Sequence, residues 1–368
     1  MRRNNLLPNL TLFTERMNIR ISITGTVTVA LFALMISCNT PDSYYSAADF
    51  YKIPKIDAHF HYLTPDSQYL IFASSLNMRL LNPNWDGEFS IDQQLKISEA
   101  IYRSFPHNFA FFGTFSVDSF GKPGFAGATI DRINYCLKAG ASGIKIWKNI
   151  GMVLKDHNNR YVMIDDPAFA PVFEYLERNK IPVMGHFGEP KDCWLPENEM
   201  IDPGAVTYFR EHPQYYMYLH PEAPSYIAQI NSRDSMLRRY PGLDFIGAHL
   251  ASLEWSFDEL AKRLDEFPNL KVDMAARMNP IQYQSRIDRE KVRNFMIRYQ
   301  DRILYGTDFE VHDEPGLDSN KVKANLEKGW LNQWIYLTTD STLEIKGLKL
   351  PRNVIDKIYF KNAEKYFR

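Results

Sequence analysis

Cysteine is scarce in this sequence, with 3 in 368 residues. Three cysteines cannot build a disulfide framework, and none lies in a C-x-x-C spacing, which excludes a zinc knuckle and a dithiol redox centre. A charge excess is also missing, because 43 basic side chains stand against 44 acidic ones for a net charge of −1. Without a basic surplus the chain has no global attraction to phosphate backbones, and we expect no nucleic-acid partner.

The N-terminal segment lacks a hydrophobic run long enough to cross a membrane. Its apolar stretch, residues 21–36, is rich in Thr and shorter than the ~20 residues of a spanning helix, so the hydrophobic region of a secretory signal fits better. We interpret residues 1–38 as a signal segment, with Met17 as an alternative start, and the polar residues 39–50 as a tether.

The end of this segment, Leu34-Met35-Ile36-Ser37-Cys38, resembles a bacterial lipoprotein signal, in which the Cys becomes the lipid-bearing first residue. The resemblance implies that Cys38 is lipidated and that the domain is anchored by lipid alone to the extracytoplasmic side of a bacterial membrane. An ordinary membrane anchor, or a signal cut elsewhere, is the alternative.

The rest of the chain has the composition of a globular protein, with 45% hydrophobic and 24% charged residues. Short apolar segments alternate with longer amphipathic ones, which is typical of βα units. Helix-like stretches lie between strands at residues 91–105, 129–139, 168–180, 253–267 and 291–299. The eight predicted strands are residues 53–59, 78–82, 109–117, 143–147, 182–186, 244–249, 270–275 and 303–308.

Eight alternations predict an α/β fold, a (β/α)8 TIM barrel over residues 51–368. Residues 353–366 are expected to form an extra C-terminal helix packed outside the barrel. A long insertion, residues 187–243, follows the fifth strand and carries an aromatic run at residues 215–220. Its periodicity fits either a cover over a pocket or a satellite helix on the barrel rim.

Histidine and aspartate recur at the ends of the predicted strands. His59 and His61 are two residues apart, so on a strand they face the same side and could bind one metal. His186, His249 and Asp308 end the fifth, sixth and eighth strands. Any one of them alone is more often a structural residue. Turning all of them inward without a ligand would be costly, so together they predict a metal site at the C-terminal end of the barrel.

The sequence resembles the amidohydrolase superfamily, in particular its amidohydrolase-related (amidohydrolase 2) branch, over residues 53–368. The resemblance rests on the motifs IDAHFH, GIKIWKN, VMGHFGE, IGAHLAS, LYGTDFE and KIYFKNAEKYF. It implies that His59, His61 and His186 are neutral imidazole ligands of one divalent metal, most often zinc. Asp308 would be its carboxylate ligand and the proton acceptor for the bound water, and His249 would orient or polarise that water or the substrate.

Three further residues are candidates for the site. Lys145 alternates with two isoleucines and should face inward. In two-metal members of the superfamily a lysine on this strand is carboxylated and bridges two ions, whereas in a one-metal site it would act as a charge donor. A lysine that snorkels to the barrel mouth is the structural alternative. Arg277 suits a substrate carboxylate, or pairs with a neighbouring acid. Glu189 is a weaker substrate-binding candidate.

These residues predict an enzyme that acts on a small molecule. The first hypothesis is a metal-dependent hydrolase of an amide, lactone or ester-like bond. The alternative is a metal-dependent non-oxidative decarboxylase of an aromatic or unsaturated carboxylic acid, which Arg277 would favour. A lipid-tethered binding protein without catalysis is the third, but it would not need a water-activating Asp beside three imidazoles. The oligomeric state is left open, a homo-oligomer included.

Overall fold

Eight short parallel strands follow one another in sequence order around one sheet. The computed structural model describes residues 43–341 and 345–367. The strands are β1 (Lys55–Asp57), β3 (Met78–Pro83), β4 (Phe109–Gly113), β5 (Gly143–Ile146), β6 (Val183–Gly185), β7 (Phe245–Gly247), β8 (Leu270–Asp273) and β9 (Ile303–Leu304). They confirm the predicted TIM barrel.

Backbone hydrogen bonds also join the last strand region to the first. The Ala58 N–H donates to the Tyr305 carbonyl at 2.9 Å, and the Asp308 N–H donates to the His59 carbonyl at 2.8 Å. Directly after these residues, β2 (Phe60–Leu63) pairs in parallel with β10 (Phe309–His312). The first and eighth βα units are therefore held together at the end of the barrel where the histidine motif lies.

Amphipathic helices surround the sheet. They are α1 (Gln68–Ser75), α2 (Ile91–Ser104), α3 (Phe125–Lys138), α4 (Ala170–Arg178), α5 (Pro203–Glu211), α6 (Tyr226–Arg239), α7 (Phe257–Glu266), α8 (Met278–Ile287), α9 (Arg289–Arg298), α10 (Ser319–Thr338), α11 (Arg352–Asp356) and α12 (Asn362–Glu364). Several begin at a capping side chain; for example, Ser90 accepts from the Gln93 N–H. The insertion also contains four short helical turns of three or four residues, Lys191–Trp194, Glu197–Glu199, Pro213–Tyr215 and Met217–Leu219.

The C-terminal helical segment covers the bottom of the barrel, which corrects the prediction that it packs outside. Ala363 and Tyr366 belong to the same buried cluster as the inward-facing strand residues. The Tyr366 ring lies 5.5 Å from the Phe112 ring, and its hydroxyl is 3.4 Å from Asp244, which directly precedes β7. The apolar periodicity shows that one face is buried, but it does not show against what.

The folded domain begins earlier than the sequence suggests. Residues 44–50, assigned to the tether, pack on the barrel domain: Phe50 is fully buried, and the Trp334 indole donates to the Ser46 carbonyl at 2.9 Å. Aromatic side chains in a polar-looking stretch supply this contact. The predicted signal segment and Cys38 lie outside the described residues. Among the helices that are described, none is both long and apolar enough to cross a membrane.

Candidate metal centre and substrate cavity

Two histidines and an aspartate meet at the C-terminal end of the barrel. Asp308 Oδ1 lies 3.1 Å from His61 Nε2 and 3.3 Å from His59 Nε2. Together, the three side chains place one potential ligand atom each within 4.8 Å of one another. Nearby histidines hold the pKa of Asp308 well below its usual range, against the opposing effect of burial. The group is therefore an ionised carboxylate between two imidazole nitrogens.

Asp273, at the end of β8, sets the orientation of this cluster. Its Oδ2 is 2.8 Å from His59 Nδ1, and its Oδ1 accepts the N–H groups of His249 and Ala275. Charge and hydrogen bonding to His59 lower the pKa of Asp273 against burial. A carboxylate in this position accepts a hydrogen bond from the Nδ1–H group of His59, so the neutral imidazole presents its Nε2 lone pair to the centre.

His249 lies beside the same cluster. Its Nδ1 donates to the Ala275 carbonyl at 2.9 Å, and because a carbonyl can only accept, Nε2 is left with a lone pair. Burial holds the pKa of His249 well below its usual value. The imidazole is neutral at physiological pH, as a ligand or hydrogen-bond acceptor must be.

A left-handed turn carries His249. Four consecutive residues, His249–Ser252, have φ between 54° and 59°, a conformation that costs L-residues roughly 1–2 kcal/mol each. Side chains clamp the turn: Ser252 Oγ donates to the Gly188 carbonyl at 2.7 Å, and the buried Arg233 donates to the Ala251 carbonyl. The sequence contains no glycine at these positions to announce such a turn.

His186 lies next to the cluster. Its ring centroid is 4.3 Å from that of His249, and burial lowers its pKa to about 4. Within the described chain its Nε2 has no hydrogen-bond partner, and Glu189 Oε2 is 3.6 Å away. His186 thus offers an unpartnered neutral nitrogen, although it is not among the groups whose ligand atoms all lie within 4.8 Å.

Lys145 points into the centre from β5. Its Nζ lies 3.3 Å from His59 Nε2, and the side chain is 1% exposed, so it does not snorkel to the mouth. Burial lowers the pKa of Lys145 to about 8. At neutral pH a lysine with this pKa is uncharged more often than an exposed lysine, and its neutral amine is a nucleophile.

The site opens into a cavity with two lobes. The first, of about 550 Å³, is lined by the six residues His59, His61, Lys145, His186, His249 and Asp308, together with Trp85 and His212. The second, of about 270 Å³, shares Lys148, His186, Tyr208, His249 and Asp308 with it and extends to Arg277 and Glu254. Tyr208 and Phe209 of α5 line the second lobe. The insertion after the fifth predicted strand therefore forms a wall of the pocket.

Lys148 and Glu189 form an ion pair between the lobes. The Lys148 ammonium also donates to the Tyr208 hydroxyl at 3.0 Å and lies 4.1 Å from the centre of the Tyr215 ring. Glu189, expected to contact substrate, is thus engaged by Lys148 on one oxygen and faces His186 with the other. The pair links the predicted ligand His186 to the insertion.

Sequence reasoning assigned no role to Lys148, Glu254, Tyr208 or Asp273. Asp273 has a detectable signal, because it lies within the predicted seventh strand on the same alternating face as Arg277, and it is the last residue of β8. The other three lie on loops or on the insertion helix, where no periodicity indicates the direction of a side chain. Arg277 does lie in the cavity, as expected, with Glu254 Oε2 4.0 Å from its Nε.

The amidohydrolase 2 family model, described as amidohydrolase, matches residues 106–368, more than two thirds of the chain. The protein belongs to the amidohydrolase superfamily. No curated protein matches this amidohydrolase. It is similar to an uncharacterized TIM-barrel protein from Bordetella bronchiseptica, with 15% identity, 86% of this chain and 100% of that chain covered, and a TM-score of 0.51. It is also similar to a 2,6-dihydroxybenzoate decarboxylase from Rhizobium, with 14% identity, 85% of this chain and 98% of that chain covered, and a TM-score of 0.50. At such identities the likeness shows the fold.

The donor set of this amidohydrolase fits a divalent metal. His59 and His61 direct Nε2 at a carboxylate, His186 has a buried nitrogen without a partner among the described residues, and Asp273 supports His59 from behind. Imidazole nitrogens with one carboxylate are ligands that zinc and similar ions accept. Imidazole ligands of such ions usually donate their other ring N–H to a carboxylate or carbonyl, as His59 does to Asp273.

Proposed function

We propose that this amidohydrolase is a metal-dependent hydrolase that cleaves an amide, lactone or ester-like bond of a small molecule. The observation that carries the proposal is the Asp308 carboxylate, held between the Nε2 atoms of His59 and His61 where the two cavity lobes meet. His59, His61, His186 and Asp308 would hold one divalent ion, with zinc as the first candidate. A bound ion of this kind lowers the pKa of water and polarises a carbonyl.

The protein's own residues supply proton transfer and orientation. Asp308 contacts both imidazoles through Oδ1, so Oδ2 can accept the proton of the attacking water and return it to the leaving group. His249 keeps Nε2 free of its own proton and can accept a hydrogen bond from that water. Lys145 provides a buried positive group beside His59. It could also be the bridging ligand of a two-metal centre if it were carboxylated.

Non-oxidative decarboxylation is the second candidate, and Arg277 favours it. The guanidinium lines the second lobe and could hold a substrate carboxylate. One protein with the same fold is named as a 2,6-dihydroxybenzoate decarboxylase. Glu254 weighs against this candidate, because its carboxylate is 4.0 Å from Arg277 Nε and would repel an anionic group placed on the arginine.

The N-terminal sequence supports a location for this activity. The segment that ends at Cys38 has the pattern of a lipoprotein signal. We infer that the enzyme is attached by lipid to the outer side of a bacterial membrane and meets an extracytoplasmic small molecule there. No nucleic-acid partner is part of the proposal.

The test compares Asp308→Asn with His186→Ala in protein loaded with zinc. Asn tolerates the positive φ of 65° at this position, so Asp308→Asn should cut turnover far more than metal content. His186→Ala should lose both. Glu310→Gln is the control, since Glu310 lines the first lobe but belongs to neither group of potential ligands.

Turnover is measured on lactones, dipeptides and aromatic acids, with carbon dioxide release followed in the same samples. Hydrolysis without carbon dioxide release supports the first candidate. Carbon dioxide release from an aromatic acid would replace it with the second. An Asp308→Asn enzyme that binds metal and turns over normally would refute the role of Asp308 in either reaction.

A further inference from the structure

Two buried charged side chains face each other in the second lobe without completing an ion pair. Arg277 is 8% exposed and Glu254 is 4% exposed. Their nearest atoms, Arg277 Nε and Glu254 Oε2, are 4.0 Å apart. Each of these two atoms is buried and has no hydrogen-bond partner within the described chain. A charge-assisted hydrogen bond needs about 2.7–2.9 Å, so a gap separates a donor from an acceptor.

Other contacts hold both groups in place. Arg277 Nη1 donates to the Ala276 carbonyl at 3.0 Å, and Glu254 Oε1 accepts the Lys191 N–H at 2.9 Å. Burial raises the pKa of Glu254, and the charge of Arg277 opposes this shift without cancelling it. The unpartnered atoms are therefore hydrogen-bonding positions that a ligand satisfies after a small shift of either side chain opens them to the lobe.

The surroundings restrict the ligand. Phe209, Trp255 and Pro280 line the same lobe, and they suit an apolar or aromatic body. Of the other charged residues of the lobe, Lys148 and Glu189 pair with each other. Asp192 and Asp202 accept backbone N–H groups, and Asp308 belongs to the metal centre. An anionic group would meet Glu254 and a cationic group would meet Arg277, so each would gain one charge and be repelled by the other. A neutral group that both donates and accepts avoids this conflict.

We propose that Arg277 and Glu254 form a subsite for a neutral carboxamide-like group, such as a primary amide or ureido group, on a ligand with an apolar body. Its oxygen accepts from Arg277 Nε–H, and its N–H donates to Glu254 Oε2. The subsite rests on the proposed function in that the lobe is also lined by His249 and Asp308, where the bond to be cleaved would lie. The subsite binds the part of the substrate that lies away from the cleaved bond.

Binding of three probes with the same aromatic body tests the subsite. Benzamide, benzoate and benzylamine are titrated into the full-length protein by calorimetry, and their ranking is compared within each variant. The wild type should bind benzamide at least tenfold more tightly than the two charged probes. Glu254→Gln should raise benzoate affinity at least tenfold relative to benzamide. Arg277→Gln should do the same for benzylamine, and provides a second variant if the first does not fold.

Glu197→Gln is the matched control, because it removes the negative charge of an exposed Arg–Glu pair, formed with Arg210, outside the lobe. This variant should leave the ranking of the three probes unchanged. A wild type that prefers benzoate, or a ranking that Glu254→Gln does not alter, would overturn the subsite. Because binding is read without turnover, the two proposals fail separately. The ranking can fail while Asp308→Asn still abolishes hydrolysis, and it can hold in an Asp308→Asn protein that hydrolyses normally.

Discussion

The left-handed turn at His249–Ser252 leads us to predict that glycine stabilises the protein more than alanine does at one of its positions. Its last residue, Ser252, has a φ of 57°, in the region that favours glycine. The Ser252 side chain is buried and donates to the carbonyl of Gly188, in the segment that follows His186. We expect Ser252→Gly to be more stable than Ser252→Ala, the reverse of the order found in helices.

The size of the effect follows from two contributions. Both variants lose the hydroxyl donor and leave a buried carbonyl without its partner, which costs about 1–3 kcal/mol in each. Alanine keeps a Cβ in the left-handed region and retains a penalty of about 1–2 kcal/mol. Glycine escapes this penalty but loses about 0.5–1 kcal/mol to its greater freedom in the unfolded chain. The glycine variant should therefore be more stable by roughly 0.5–1 kcal/mol.

Urea unfolding of the two variants, followed by circular dichroism, measures this difference. Ser104, the exposed last residue of α2, is the control position. There the alanine variant should have a free energy of unfolding up to about 1 kcal/mol higher than that of the glycine variant. If Ser252→Ala unfolds at the same urea concentration as Ser252→Gly or a higher one, the turn is not strained as the φ angles imply.

Two further predictions concern the metal centre and the N-terminus. Asp273→Asn removes the carboxylate that holds His59 Nδ1 and should weaken zinc affinity about 10–100-fold in a chelator competition, whereas unchanged affinity would show that Asp273 does not support a ligand. Cys38→Ser should abolish incorporation of labelled fatty acid in a bacterial host, and continued labelling would rule out Cys38 as the lipid site.

The barrel could be predicted because its signal is repeated. Eight apolar segments, separated by amphipathic ones, predict eight strands, and each of the eight barrel strands overlaps its predicted range, whereas the pair β2 and β10 lies outside all of them. Seven of the eight predicted strands are too long at their ends: the eighth extends to Asp308, but β9 ends at Leu304. Alternation of apolar residues continues beyond the ladder, and it cannot show that the backbone of Asp308 turns to a positive φ.

What each terminal segment covers could not be predicted in the same way. Phe50 and Tyr366 are both buried aromatic residues, yet one lies near the start of the domain and the other on the helical segment beneath the barrel. Aromatic content indicates burial. The partner depends on where the chain ends return in space, and no local pattern records this.

The site residues that could be predicted from the sequence are those that follow the strands. His59, His186, His249 and Asp308 follow the ends of β1, β6, β7 and β9, and the geometry of a parallel barrel sends the ends of all strands to one place. Their shared cavity therefore follows from the order of the strands. Asp273, the last residue of β8, obeys the same rule, although none of the family motifs includes it.

Loops carry the residues that change the chemical interpretation. Arg277 lies just beyond a strand and, considered alone, suggests a substrate carboxylate. Glu254, on the loop after the left-handed turn, lies 4.0 Å from it and reverses the expectation from an anionic group to a neutral one. Strand ends thus indicate what kind of bond the enzyme can break, whereas the charge of the molecule that it accepts depends on a loop residue whose position no sequence period encodes.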